Sequence, residues 1–158
     1  EISCSLVGSE MCIRDRYANP EKELEGILTR IQMEDLDDVA ILVPSDKEVM
    51  MVNDYLANHG IKTQVMYRTG NTVPFRTVNT LDFSNNDLPC ILTYYAAKGS
   101  EFDNVFVPFA NTSNDCSRNS FYVACTRSSR SLYISYSGTK TKYLSDVNSD
   151  FITELKAA

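Results

Sequence analysis

Two short stretches hold the residue types that could act on a charged ligand: TYYAAKGSEFD, Thr93 to Asp103, and FYVACTR, Phe121 to Arg127. In the first, an apolar run leads into Lys98 and Gly99, with Glu101 two places beyond the glycine. Glycine lets the backbone turn tightly and expose its amides, and lysine adds a point charge suited to phosphate. The second stretch is a helix of mostly small residues that ends on Thr126 and Arg127. Each stretch alone has a plainer explanation, an ordinary turn in the first case and a solvated helix end that suits the dipole in the second.

Other chemistry is thinly represented. No glycine is followed by lysine and no Asp-Glu pair occurs, so the sequence holds neither a Walker A loop nor a Walker B site. A nucleophile elbow, a dinucleotide fingerprint and a histidine-based triad are equally missing. His59 is the one histidine and the five cysteines form no CxxC, which leaves no zinc set. Free thiols in a reducing cytosol are the simplest account of those cysteines, with Cys90 and Cys125 expected in the core. No apolar run approaches the length of a membrane span.

A formal charge of −6 argues against wrapping nucleic acid by bulk electrostatics. Its distribution is uneven, however. Acids gather at Glu34, Asp35, Asp37 and Asp38, whereas Cys116 to Ser145 carries five basic residues and no acid. A basic face on an acidic body and a run of solvated side chains both fit that pattern.

These residues need elements to hold them. Leu24, Ile27, Leu28 and Ile31 repeat at helical spacing across Pro20 to Met33. Val39 to Val43 reads as a strand covered on both faces. Ser45 and Glu48 then form an S-x-x-E capping box for a helix with Val49, Val52 and Leu56 inward, stopped by Gly60. Further strands are expected at Thr63 to Tyr67, Val78 to Leu81, Cys90 to Thr93, Asn104 to Pro108 and Leu132 to Tyr136. A helix is expected at Arg118 to Thr126, and short helical pieces at Tyr143 to Leu155. Strands separated by helices imply one α/β domain with a mostly parallel sheet and helices on both faces. Ligands of such sheets sit beyond the carboxyl ends of the strands, which predicts Tyr95 to Glu101 as a strand-to-helix loop on that edge.

The opening residues stand apart. LVGSEMCIRDR, Leu6 to Arg16, matches a reading frame of a common transposon-end sequencing adapter, so residues 1–16 are set aside from the fold as a cloning or assembly scar. Their removal is expected to leave the melting temperature unchanged.

Together, in this order, the two chemical stretches resemble motifs of the UvrD-like superfamily 1 helicases. That family carries T-x-H-x-[SA]-K-G-x-E-[FW], matched here at Thr93, Ala97, Lys98, Gly99, Glu101 and Phe102, with Tyr95 in the histidine position. Ser100 is similar to the KGSEF version of RecD-like relatives. FYVACTR is similar to the family's Y-V-A-x-T-R. The resemblance covers roughly Val39 to Val147 and implies the second RecA-like domain, a three-layer α/β unit spanning 17–158. It implies DNA contact by Thr93 and Tyr95, nucleotide contact by Lys98, Gly99 and Glu101, and an arginine finger at Arg127. ATP and Mg²⁺ would be held mainly by an N-terminal RecA-like domain of the same protein, with single-stranded DNA as the other partner. Pro44 stands where many members place a second arginine. An alternative consistent with Tyr95 and Pro44 is a degenerate RecA-like module that binds without catalysing.

Overall fold

The computed structural model describes residues 11–70, 73–111, 116–146 and 153–156. Among them, eight strands form a single sheet: β1 (Met11–Tyr17), β2 (Val39–Val43), β3 (Gln64–Thr69), β4 (Arg76–Asn79), β5 (Cys90–Thr93), β6 (Phe102–Val107), β7 (Ser128–Ser137) and β8 (Thr153–Lys156). The order across it is β4-β3-β5-β2-β6-β7-β1-β8. Every pairing is parallel except β3 with β4, an antiparallel ribbon at one margin. Helices α1 (Pro20–Met33) and α2 (Asp46–Asn58) cover one face, and α3 (Arg118–Cys125) covers the other.

The layers follow from side-chain alternation. Along β2, Ile41 and Val43 face Leu24, Val49 and Val52 of α1 and α2, while Ala40 and Leu42 face Phe121 and Cys125 of α3. All five residues of β2 are buried, as a strand covered twice must be. Asn19 caps α1 by accepting the Lys22 N–H at 2.9 Å. Ser45 sits at the N-cap of α2 as expected, but its hydroxyl donates to the Glu48 carboxylate and makes no bond to a backbone amide. The reciprocal capping box is therefore not formed. His59 ends α2, with Nδ1 2.7 Å from the Tyr55 carbonyl, and Gly60 follows with φ +79°.

Three expectations change. The segment Tyr143 to Leu155 opens on an expected short helical piece, a 3₁₀ helix at Lys142–Asp146, but its end is the strand β8, and residues 147–152 lie outside the described residues. Residues 94–101 join two strands through overlapping turns, with no helix between them. Finally, residues 11–16 do not stand outside the fold. β1 pairs along its length with β7, its Cys12 and Ile13 are buried on opposite faces, and Asp15 holds Arg30 of α1 at 3.1 Å. A short run with apolar residues on both faces meets the needs of an inner parallel strand whatever encoded it. Deleting residues 1–16 is accordingly expected to lower the melting temperature by several degrees in calorimetry. An unchanged value would return the segment to the status of an appended tail.

A buried acid ties α1 to the sheet. Glu23 accepts the Phe109 N–H at 2.9 Å and the Ser135 hydroxyl at 3.0 Å, holding Phe109 in a left-handed conformation with φ +60°. Burial outweighs those bonds and raises its carboxyl above the ordinary range. The folded chain then keeps this proton to higher pH than the unfolded chain does. Its stabilising contribution is complete below the unfolded pKa and is lost as pH rises through the raised value. Glu23→Gln is expected to melt above the parent at neutral pH and level with it in acid. A variant that melts lower at every pH would contradict this.

Candidate functional site

The predicted residues fall on two edges of the sheet, not one. Because β5, β2, β6 and β7 run parallel, Thr93 closes β5 at the carboxyl edge, whereas Phe102 and Ser128 open β6 and β7 at the amino edge. The chain from Tyr94 to Glu101 descends from one edge to the other. Thr93 and Tyr95 thus stand at the carboxyl edge, while Glu101 and Arg127 stand at the amino edge. The expectation that Tyr95 to Glu101 all share the carboxyl edge holds only for the first half of that stretch.

At the carboxyl edge, a groove of about 640 Å³ lies over the ends of β2, β3 and β5. Thr93, Tyr95, Ala96 and Lys98 line one side, with Pro44 and Asp46 from the start of α2 and Tyr67, Arg68 and Thr77 from the β3–β4 ribbon. Thr93 Oγ1 accepts the Ala96 N–H at 3.1 Å, so its own hydroxyl proton is left to donate. Tyr95 is 86% exposed, an unusual setting for a large aromatic ring. Lys98 is also exposed. Asp46 is the groove's acid, and it is engaged by Arg68, whose backbone N–H and Nε lie at 3.1 and 3.4 Å.

The turn itself is fixed by three bonds, Ala97 N–H to Thr93 O, Lys98 N–H to Tyr95 O and Ser100 N–H to Ala97 O. Gly99 has φ +85°, and a Cβ there would meet open space. Backbone conformation, not crowding, is what calls for glycine.

At the amino edge, α3 delivers Arg127. Ser117 caps α3 by accepting the Ser120 N–H at 3.1 Å. Phe121 anchors it between Tyr94 and Tyr143, with ring centroids at 6.4 and 6.1 Å. The Arg127 carbonyl accepts the Phe102 N–H at 2.9 Å, which places its backbone directly beside the end of the Lys-Gly turn. Its guanidinium is half-buried and carries three bonds within its own domain: Nε to Val123 O at 3.0 Å, Nη1 to Ser100 O at 3.3 Å, and Nη2 to Thr126 Oγ1 at 3.1 Å. Glu101 is exposed beside it and lines a hollow of about 190 Å³ with Asp38, Asn85 and Asn86.

Two features were not singled out as functional in the sequence. Thr126 orients the guanidinium while donating to Val123 O at 2.9 Å, and the adjacent Thr-Arg pair was the only signal for it. Arg68 and Tyr67 reach the groove only because β3 pairs with both β4 and β5, which no local pattern announces. Among the described residues, no group of three or more His, Cys, Asp or Glu is placed to hold a metal ion. Of the two candidate phosphate-binding cations, Arg127 stands at the amino edge and Lys98 lines the groove at the carboxyl edge. No helix among the described residues is long and apolar enough to cross a membrane.

Residues 89–135 match the family model of the UvrD-like helicase C-terminal domain. That span contains both chemical stretches. No curated protein matches the chain. Among solved structures, the C-terminal domain of a possible DNA helicase from Lactobacillus plantarum WCFS1 superposes with TM-score 0.73 at 22% identity, covering 92% of this chain and 86% of that one. The arterivirus nonstructural protein 10 helicase with DNA gives TM-score 0.62 at 9% identity, covering 97% of this chain and 37% of that one. Dbp5 of S. cerevisiae, bound to RNA and ADP BeF₃, gives TM-score 0.59 at 14% identity, covering 94% and 42%. The chain thus spans well under half the length of the last two. At these identities the superpositions speak for the fold, a RecA-like α/β domain. Residues 89–135 thus carry the match to the UvrD-like helicase C-terminal domain, within a chain whose fold is that of a RecA-like α/β domain.

Proposed function

We propose that this chain serves as the second motor domain of an ATP-dependent DNA helicase, presenting Arg127 to ATP held on an N-terminal RecA-like domain of the same protein. The observation that carries this reading is the meeting of Arg127 with the end of the Lys-Gly turn, through Phe102 N–H to Arg127 O and Arg127 Nη1 to Ser100 O. Two motifs some twenty-five residues apart are thereby joined at one edge, with Glu101 and its asparagine-lined hollow alongside.

In this proposal Arg127 is parked on main-chain carbonyls when the domains are apart. On closure the Nη groups leave Ser100 O and Thr126 Oγ1 for the transferring phosphoryl, while Nε stays on Val123 O. The fork of donors allows both at once. Glu101 accepts hydrogen bonds from the ribose hydroxyls and Gly99 shapes the turn that delivers it, whereas Lys98 lines the carboxyl-edge groove and is left to the strand side. Mg²⁺ and the phosphate cradle are assigned to the other domain. ATP supplies the free energy of hydrolysis when bound. Thr93 and Tyr95 hold single-stranded DNA at the carboxyl edge, the hydroxyl donating to a phosphate and the ring stacking on a base.

Arg127→Ala in the full-length protein tests the reading. Loss of DNA-stimulated ATP hydrolysis is expected, and near-normal turnover would overturn the assignment.

A further inference from the structure

The β3–β4 ribbon supplies the far wall of the carboxyl-edge groove, and its side chains have no role in the reading above. Arg68 lines the groove with its side chain 66% exposed, and its guanidinium carbon lies 5.9 Å from the centre of the Phe75 ring. That distance permits a cation–π contact, which leaves the outer face of the ring to another partner. Phe75 is itself 47% exposed. Across the groove stand the exposed ring of Tyr95 and the ammonium of Lys98. The groove thus carries the exposed Tyr95 ring and two cations, Lys98 and Arg68, the latter paired with its lining acid Asp46, and the exposed Phe75 ring lies next to Arg68 just beyond that lining.

We infer that the ribbon is a second contact for a single-stranded nucleic acid, with Phe75 as a base-stacking platform and Arg68 as a backbone-phosphate contact, so that the strand runs from Tyr95 to the sheet margin. This rests on the reading of the carboxyl edge as the strand-gripping edge. Stacking platforms beside a positive groove bind single strands with little sequence preference, because every base offers a π-face and every nucleotide a phosphate. A duplex has no free base faces to give.

Strand alternation provides an internal control. Arg68 pairs with Thr77 and Thr69 pairs with Arg76, so Arg76 stands on the opposite face of the ribbon. Its removal costs the same charge away from the groove.

The experiment is fluorescence anisotropy of the 158-residue chain with labelled single-stranded oligonucleotides of about 16 nucleotides, deoxythymidine and uridine side by side. Phe75→Ala is expected to weaken binding about 10-fold, and Phe75→Trp to restore it. Arg68→Ala is expected to lower the slope of log affinity against log salt by about 0.7, the share of one phosphate on a single strand. Arg76→Ala is expected to change affinity less than about 2-fold. Sensitivity to Phe75 with either sugar supports the inference, and the tighter oligonucleotide identifies the sugar. The inference falls, and the grip at Thr93 and Tyr95 survives, if Tyr95→Ala weakens binding but Phe75→Ala and Arg68→Ala do not. An equal loss with Arg76→Ala, or a duplex bound as tightly as the single strand, also overturns it. Both readings fall if none of these variants changes affinity, or if the parent shows no binding at about 0.1 mM, the weak end of non-specific affinity.

Discussion

Arg127→Ala in the full-length protein is expected to lower DNA-stimulated ATP hydrolysis by about 10³- to 10⁵-fold, equivalent to about 4–7 kcal/mol of lost transition-state stabilisation. Arg127→Lys is expected to fall most of the way with it. A lysine keeps the charge but has one nitrogen on a flexible stem, whereas the arginine here anchors Nε on Val123 O and still has two Nη groups to offer. The loss should appear in the catalytic rate and leave nucleotide affinity within a few-fold, because the finger acts on charge that develops during transfer. Steady-state hydrolysis and fluorescent-nucleotide titration, run on the same preparations, separate the two quantities. A lysine variant with parental turnover would mean that a diffuse positive charge is sufficient and would remove the finger from the mechanism.

The second large effect is on stability. Phe121→Ala should cost about 3–5 kcal/mol, because its ring is 1% exposed and packed between Tyr94 and Tyr143. In a domain of this size that corresponds to roughly 10 °C in melting temperature. Tyr122→Ala, one residue along but on the exposed side of α3, is expected to shift the melting temperature by less than about 2 °C. Differential scanning calorimetry of the pair decides the matter. Equal shifts would mean that α3 is not held to the sheet by Phe121, and that the placement of Arg127 has some other origin.

Elements with a strong period or a sharp stop were legible from residues alone. The helix at Pro20–Met33 and the strands at Val39–Val43 and Cys90–Thr93 lie where the pattern put them, because burial on one stripe or on both faces leaves a direct trace in residue order. The same local logic found the turn at Gly99 and the left-handed glycine after His59. It failed where partners decide. Residues 11–17 are a strand because β7 offers an open edge, and β8 is a strand because β1 does. Short segments of ambiguous pattern take the conformation their neighbours require.

The site shows the same division. Residue types and spacing nominated Arg127, Lys98, Gly99 and Glu101, and the fold brings Arg127 to the end of the Lys-Gly turn. That Thr93 and Arg127 belong to opposite edges could not be seen without knowing that β5 leads through turns to β6, which runs parallel to it on the far side of β2. The ribbon wall with Arg68 and Phe75 depends on strand register, which leaves no mark in a local window.

The link from Thr93 to Phe102 has little slack. Tyr94 and Ala97 are sunk in the core, and consecutive main-chain bonds stiffen what lies between them. A shift of Thr93 is therefore expected to carry Phe102 with it, and through Phe102 N–H the Arg127 carbonyl at the opposite rim.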